Sequence, residues 1–422
     1  MSIPGPESIT RRQLPNGIVV LVRENHNSPS VVVSGYLLVG SYDEDPSQAG
    51  LSAFTADGLM RGTANRTFEQ IYEEVEAVGA SVGVSGGTYA TTFGTKSLAE
   101  DLSLTLSVLS DVLRHPTFPS EEMERLRGEI LTDLEERAHD TRRMASLTFH
   151  ELAYPQGHPY ARSLSGYPET IAKISRDDLA AFYAGGYGPQ RCVIAIVGAV
   201  ETAKALARVE AALGDWESPT YTREPLPDVP RIAKIRQRAV TIPGKTQSDI
   251  LLGYPGPART SPDYLDAFLG NSILGIFGLM GRLGDTVREA QGLAYYSYSL
   301  VEGGPGPGPW RVIAGVNPAN VEQAIDSIRS EIRRLCQEPV GQEELDDNKA
   351  FITGSLPLSL ETNSGVANVL VRMERYGLGL DYLERYTDLI GSISAERVQV
   401  AAQRWLDPDA YAVAIAGPPE AD

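Results

Sequence analysis

Cysteine is nearly missing from this chain: there are two in 422 residues, Cys192 and Cys336, far apart and with no CxxC spacing. They read as two buried thiols in a reducing compartment. No apolar run approaches the roughly 18 residues that a membrane-spanning helix needs. The longest, at 192–200, reads as a buried strand. Residues 1–10 are polar, with Pro and Gly, and carry no basic start followed by an apolar stretch, so no secretory signal is expected and a cytoplasmic location is. Bases are outnumbered: 37 Lys and Arg stand against 55 Asp and Glu, a formal charge of −18. That excludes the concentrated basic face that nucleic acid requires. An acidic surface suits a basic peptide or a basic partner, and it suits simple solubility equally well. Histidine is scarce too: His26, His115 and His139 are isolated near turns or helix ends, His150-Glu151 starts like HExxH but lacks the second His, and His158 precedes Pro159-Tyr160 in a turn; each reads as a surface or capping residue. No Ser/His/Asp, Cys/His or phosphate-loop motif supports an independent hydrolase.

What is present is a globular balance of 42% apolar and 22% charged residues, in a chain long enough for two or three ordinary domains. Residues 216–230 carry four prolines and almost no apolar periodicity, and read as an extended linker. The same order of signals appears on either side. In the first half, β-branched runs at 17–22 and 30–39 predict strands. Phe68, Ile71, Tyr72, Val75 and Val78 place one apolar stripe on a helix. Residues 80–95 return to strand character. Leu98 to Leu113 marks a helix stopped by His115-Pro116, and 120–152 predicts a further long helix with Glu121 and Glu122 in its first turn. A strand at 191–197, a turn at Gly198 and a helix at 203–213 follow. In the second half, strands are expected at 239–252, 294–302 and 310–316, and helices at 262–274, 320–336 and 342–354. The closing Tyr411-Ala-Val-Ala-Ile-Ala-Gly mirrors Cys192-Val-Ile-Ala-Ile-Val-Gly. The expected fold is α+β: two homologous domains, each a mostly antiparallel sheet with helices packed on one face.

Several stretches carry a resemblance. Leu14-Pro-Asn-Gly-Ile-Val-Val, the segment 40–63, His158-Pro-Tyr, Tyr187-Gly-Pro, and Leu345 with Lys349, Gly354 and Leu360-Glu361 together resemble the insulinase, pitrilysin and mitochondrial processing peptidase family over nearly the whole chain. The resemblance implies a half-clamshell: a peptidase-like domain at 1–217, a linker at 218–233 and a second peptidase-like domain at 234–422. Active members carry HxxEH on a helix, where the i, i+4 spacing sets two imidazoles on one face as zinc ligands. The Glu between them takes a proton from the bound water, and a later Glu completes the site. Laid on this sequence, the two His positions hold Ala53 and Asp57, the catalytic Glu position holds Ala56, and the later Glu falls near Thr132. The flanking Gly50-Leu51, Phe54 and Gly62-Thr63 are kept. Asp57 and Asp133, two carboxylates without imidazole, make a weak zinc site. No metal and no catalytic residue is therefore expected in this chain by itself.

The segment 282–299 resembles the family's second-half motif, an Arg and a Tyr seven residues apart, here Arg288 and Tyr295. The resemblance implies that these two donate hydrogen bonds to the substrate carbonyl and its oxyanion; a guanidinium and a phenol suit developing negative charge. Tyr296 and Tyr298 alternate along the strand and read as packing residues. Residues 275–281 read as a helix end and turn, and 302–309 as a hairpin loop. The profile of degenerate zinc positions beside an intact Arg/Tyr pair resembles the non-catalytic subunit of two-chain members. It implies a zinc-bearing HxxEH partner, unfolded peptide substrates and no membrane. Two alternatives stay open, a structural scaffold subunit of a larger complex and a peptide-binding homodimer without catalysis, and the isolated chain is left as monomer or homodimer.

Overall fold

The computed structural model describes residues 3–218, 222–275 and 281–419. In chain order the strands β1 (Thr10–Gln13), β2 (Val19–Glu24) and β3 (Ser30–Leu37) come first. They are followed by helices α1 (Leu51–Gly58) and α2 (Phe68–Glu76), strands β4 (Ser81–Ser85) and β5 (Thr91–Leu98), and helices α3 (Leu102–Arg114), α4 (Ser120–Ala138), α5 (Thr141–Ala153), α6 (Pro168–Ile171) and α7 (Arg176–Gly186). Next come β6 (Cys192–Gly198), α8 (Thr202–Leu213), β7 (Arg236–Thr241), β8 (Ser248–Pro255), α9 (Tyr264–Gly275), β9 (Ala294–Val301) and β10 (Pro309–Val316). Helices α10 (Val321–Gln337), α11 (Gln342–Ser359), α12 (Asn363–Arg375), α13 (Tyr382–Gly391) and α14 (Ala395–Trp405) precede the closing β11 (Ala412–Gly417).

Local chemistry sets several boundaries. A reciprocal cap between Thr67 and Gln70 opens α2, and Ser175 with Asp178 opens α7 in the same way. The single long helix expected at 120–152 is two helices. Asp140 leaves helical geometry and its carboxylate accepts from Arg143 N, which caps α5 and ends the run from α4.

The chain forms two compact units. One contains Met1–Leu134, Ser163–Glu224 and Leu356–Arg385; the other contains Glu135–Arg162, Pro225–Ser355 and Tyr386–Asp422. The first sheet runs β1-β2-β6-β3-β5-β4 and the second β7-β11-β8-β10-β9. All neighbours are antiparallel except β2 with β6 and β7 with β11. The orders β6-β3-β5-β4 and β11-β8-β10-β9 coincide, so the α+β duplication read from the sequence is present.

Helices cover each sheet on two faces, not one. In the first unit Val31, Val33, Ile194 and Ile196 pack with Phe54 of α1, Leu106 and Leu109 of α3, and Val209 of α8. The opposite face meets α12: Asn363 Nδ2 donates to Ser30 O at 3.1 Å, and Ser34 Oγ donates to Asn368 at 2.9 Å. In the second unit Ile250, Leu252, Val312 and Val413 pack with α9, α10 and α14. On its other face Leu251, Ile313 and Ala414 meet Ala145 and Phe149 of α5. Cover on both faces explains why β6 is buried at every position and shows no polar alternation. Each Val or Ile so buried contributes about 1.5–3 kcal/mol.

The expected boundaries, 1–217 and 234–422, differ from these units in two segments. Residues 135–162, with α5, belong to the second unit, and residues 356–385, with α12, belong to the first. The expected linker is irregular where described, yet its start is anchored. Trp216 is buried in the first core. Arg223 makes two hydrogen bonds to Asp43, at 2.9 and 2.6 Å, and lies 4.6 Å over the Tyr42 ring. Both cysteines are free and buried. Burial pushes the thiol pKa of Cys336 up to about 12 and raises that of Cys192 further.

Candidate functional site

The positions expected from the metal motif, Ala53, Ala56 and Asp57, lie on α1. That helix begins at Gly50, whose φ of +97° lies in the left-handed region; a Cβ there would come within 2.7 Å of Ile171 and 2.9 Å of Gly166. The buried Glu44 carboxylate accepts from Gly50 N at 3.2 Å and from Ser52 N at 2.8 Å, so an acid satisfies the orphan donors of the first turn. Phe54 is fully buried and anchors the helix. Gly86, in the β4–β5 turn, lies so close that a Cβ on it would stand 2.9 Å from Ala53 Cα and 3.3 Å from Ala56 Cβ. The Ala56 methyl is fully buried.

Beside α1 is a cleft of about 370 Å³. Ala53, Asp57, Arg61, Glu129 and Asp133 line it, with Tyr72, Met60, Val84, Leu126 and Ile130 among its walls. The i, i+4 spacing sets Ala53 and Asp57 on one face of α1, and Glu129 and Asp133 on one face of α4. Arg61 binds Glu129 through both terminal guanidinium nitrogens, stands 3.7 Å from Glu122 and lies 4.9 Å over the Phe68 ring. Asp57 makes no hydrogen bond or ion pair of its own among the described residues. Its carboxyl keeps a face to water but is crowded by the cleft walls. Desolvation raises its pKa to about 6; Arg61 opposes that rise and Glu129 adds to it.

Thr132 does not line the cleft. Its hydroxyl donates to Gly128 O at 2.9 Å, one turn back on its own helix. The α4 residues that face Asp57 are Glu129 and Asp133, which lie three positions before and one after the position expected from the motif. The i, i+4 pairing of Glu129 with Asp133 was the signal available for this. Zinc does not suit this donor set: two positions are methyl groups, no imidazole or thiol is at hand, and Glu129 is taken by Arg61. Among the described residues no group of three or more His, Cys, Asp or Glu is placed to hold a metal ion.

Arg288 and Tyr295 both lie in the second unit. Arg288 is on a π-helical segment, Gly284–Ala290, a conformation often found at functional sites. The segment is fixed by core residues Leu283 and Val287 and by Arg282, which makes two hydrogen bonds to Glu344 at 2.8 and 2.7 Å. The Arg288 guanidinium is 36% exposed, with Glu289 3.7 Å away. Tyr295 is the second residue of β9, the edge strand of its sheet, and is 63% exposed. Tyr296 and Tyr298 pack against the α5 cluster, as expected. The Tyr296 hydroxyl donates to the buried Asp249, which Thr141 also holds at 2.5 Å. The helix end and turn expected at 275–281 fall largely on residues 276–280, outside the described residues.

The histidines divide. His158 is buried and caps a short turn, with Nδ1 accepting from Tyr160 N at 3.1 Å. His150, expected at the surface, is half-buried in the second unit. One ring nitrogen is 3.0 Å from Tyr160 O and the other 3.1 Å from Arg311. Burial, with the Arg311 charge, lowers its pKa to about 4.

Two duplicated α+β units, with Ala53, Ala56 and Asp57 on α1 of the first and Arg288 and Tyr295 in the second, define the architecture of a peptidase homologue. Residues 19–166 match the family model described as insulinase (peptidase family M16), and residues 173–351 match the one described as the peptidase M16 inactive domain. The chain belongs to the insulinase-type M16 peptidase family. It is 25% identical over 426 residues to the uncharacterized zinc protease YmxG of Bacillus subtilis, covering 97% of this chain and 98% of that one. It is 24% identical to the mitochondrial-processing peptidase subunit beta of Saccharomyces cerevisiae, over 88% of this chain and 81% of the other. The crystal structure of a peptidase M16 inactive domain from Pseudomonas fluorescens superposes with a TM-score of 0.90 at 26% identity, covering 98% of each chain.

Proposed function

We propose that this chain is the non-catalytic subunit of a heterodimeric zinc endopeptidase. It pairs with an HxxEH-bearing homologue that holds the zinc, and it contributes Arg288 and Tyr295 in trans. The observation that carries the reading is an asymmetry. The α1 cleft offers methyl groups and an Arg61–Glu129 ion pair where a metal would need donors, whereas Arg288 and Tyr295 present donors to solvent from a core-anchored segment and an edge strand. In this reading both side chains hydrogen-bond the substrate carbonyl and the oxyanion that forms from it. The substrate is an unfolded peptide, and both subunits are cytoplasmic.

The test is peptidase activity and bound metal for this chain alone and for this chain mixed with an HxxEH homologue from the same genome. The reading requires a metal-free, inert chain that activates the homologue. Arg288→Ala and Tyr295→Phe must then lower turnover while assembly stays intact. A chain that binds zinc and cuts unaided, or a mixture no more active than the homologue alone, overturns it.

A further inference from the structure

The duplicated fold lets each sheet position be compared with its twin. Ser34 pairs with Ala195, three residues before the closing Gly198; Leu251 pairs with Ala414, three residues before the closing Gly417. Across the strands, Ser34 is opposite Gly94 and Gly94 is opposite Gly83, while Leu251 is opposite Ile313 and Ile313 is opposite Tyr298. In the second unit this row, flanked by Tyr296 and Leu300, is packed into the apolar cluster of α5. In the first unit the same places hold Ser34, Gly94 and Gly83, flanked by Ser81 and Ser85. The large side chains are gone, and a hollow of about 540 Å³ remains between β3, β4, β5 and α12.

Two arginines from the end of α12, Arg372 and Arg375, line this hollow. Arg375 lies 5.5 Å over the Tyr36 ring. Among the described residues neither arginine has a carboxylate within 4 Å. Glu374, between them in sequence, is taken by Arg11 through two hydrogen bonds at 2.9 and 2.8 Å. The chain has 18 more acidic than basic residues, yet these two cations are left to an outside acid. Lys96, exposed on β5 opposite Ser81, adds to the local positive field.

We propose that this hollow binds an acidic side chain of a peptide, its carboxylate held by Arg372 and Arg375 and its stem lying on the Tyr36 face of the sheet, over Gly94 and Gly83. A guanidinium fork matches a carboxylate with two parallel hydrogen bonds, and stacking on Tyr36 pre-orders one of the two forks. Because the chain as a whole repels anions, contact at the arginine pair must supply the affinity, and salt must weaken it. The inference is independent of the trans role of Arg288 and Tyr295, and its test needs this chain alone.

The full chain is titrated, at low salt, with a fluorescent hexapeptide bearing two central Glu residues and with its Gln twin, and anisotropy is read. The Glu peptide binds about tenfold more tightly than the Gln peptide, and Arg372→Ala or Arg375→Ala removes about that factor. Arg372 is exposed, so its variant isolates the charge even if the Arg375 variant unfolds. A Cβ on Gly83 meets no atom within 4 Å. Gly83→Tyr therefore refills the hollow with the residue type of its twin, Tyr298, and abolishes the preference while thermal unfolding is unchanged. Equal affinity for the two peptides, or an unaltered preference in Gly83→Tyr and in Arg372→Ala, overturns the proposal. Displacement of the Glu peptide by an equal concentration of inorganic phosphate overturns it as well, since the site would then read charge alone.

Discussion

Replacing Arg61 by Met tests the electrostatics of the degenerate metal cleft. Methionine keeps the unbranched apolar stem but removes the charge and the guanidinium that lies over Phe68. Three acids then lose a cation: Glu129, bonded to it; Glu122, 3.7 Å away; and Asp57, whose raised pKa it moderates. Glu129 is half exposed, so its pair with Arg61 is worth no more than about 1 kcal/mol. Glu122 is only 13% exposed but keeps Arg125 at 3.2 Å, so its loss is of similar size. The expected cost is about 1–2 kcal/mol at pH 8, a fall of roughly 2–4 °C in Tm per kcal/mol. The pH dependence follows from Asp57. Its folded pKa of about 6 lies above the unfolded value of about 3.9, so the native state binds more protons between these values. Its contribution is therefore favourable below pH 4 and is withdrawn as pH rises through 6. Without Arg61 that withdrawal is larger. Urea unfolding at pH 5 and pH 8 must show the greater loss at pH 8. An equal loss at both, or a loss confined to pH 5, would refute the placement of Asp57 beside Arg61 and Glu129.

Three further outcomes are expected. In the mixture with an HxxEH homologue, Tyr295→Phe or Arg288→Ala lowers kcat by about 100-fold, the scale of one lost oxyanion donor, with the Tm of this chain little changed because Tyr295 is exposed and Arg288 is partly exposed. Glu44→Ala leaves Gly50 N and Ser52 N without their acceptor and destabilises the first unit by about 1–2 kcal/mol in denaturant titration. His150, with a folded pKa of about 4 against an unfolded value of about 6.5, contributes stability that is complete above pH 6.5 and is lost as pH falls through 4. His150→Gln flattens that part of the stability–pH curve.

The segments that carry the expected site residues were legible in the sequence because their signals are local. The i, i+4 spacing of Ala53 and Asp57 places both on one face of α1 whatever surrounds it. The run from Arg282 to Ser299 marks the Arg288 and Tyr295 segment without reference to any other part of the chain. The neighbourhood of Thr132 was less legible for a related reason. A gap counted along the chain carries no information on which face of α4 meets the cleft, and packing turns Glu129 and Asp133 toward it while the Thr132 hydroxyl bonds back to Gly128. The break at Asp140 was hidden inside a sequence that propensity alone would keep helical.

The amino-acid order by itself determined the strands and most helices, the duplication marked by the closing Gly198 and Gly417, the i, i+4 placement of Ala53 and Asp57, and the buried thiols. These rest on periodicity, turn chemistry and residue identity, which act over a few residues. Only the tertiary structure decided that α12 covers the first sheet and α5 the second, that Glu129 is held by Arg61, that His150 is kept neutral, and that the face under α12 is hollow where its twin is filled. Each of these depends on which distant side chains are brought together, and burial and Coulomb interaction act through space without regard to separation along the chain.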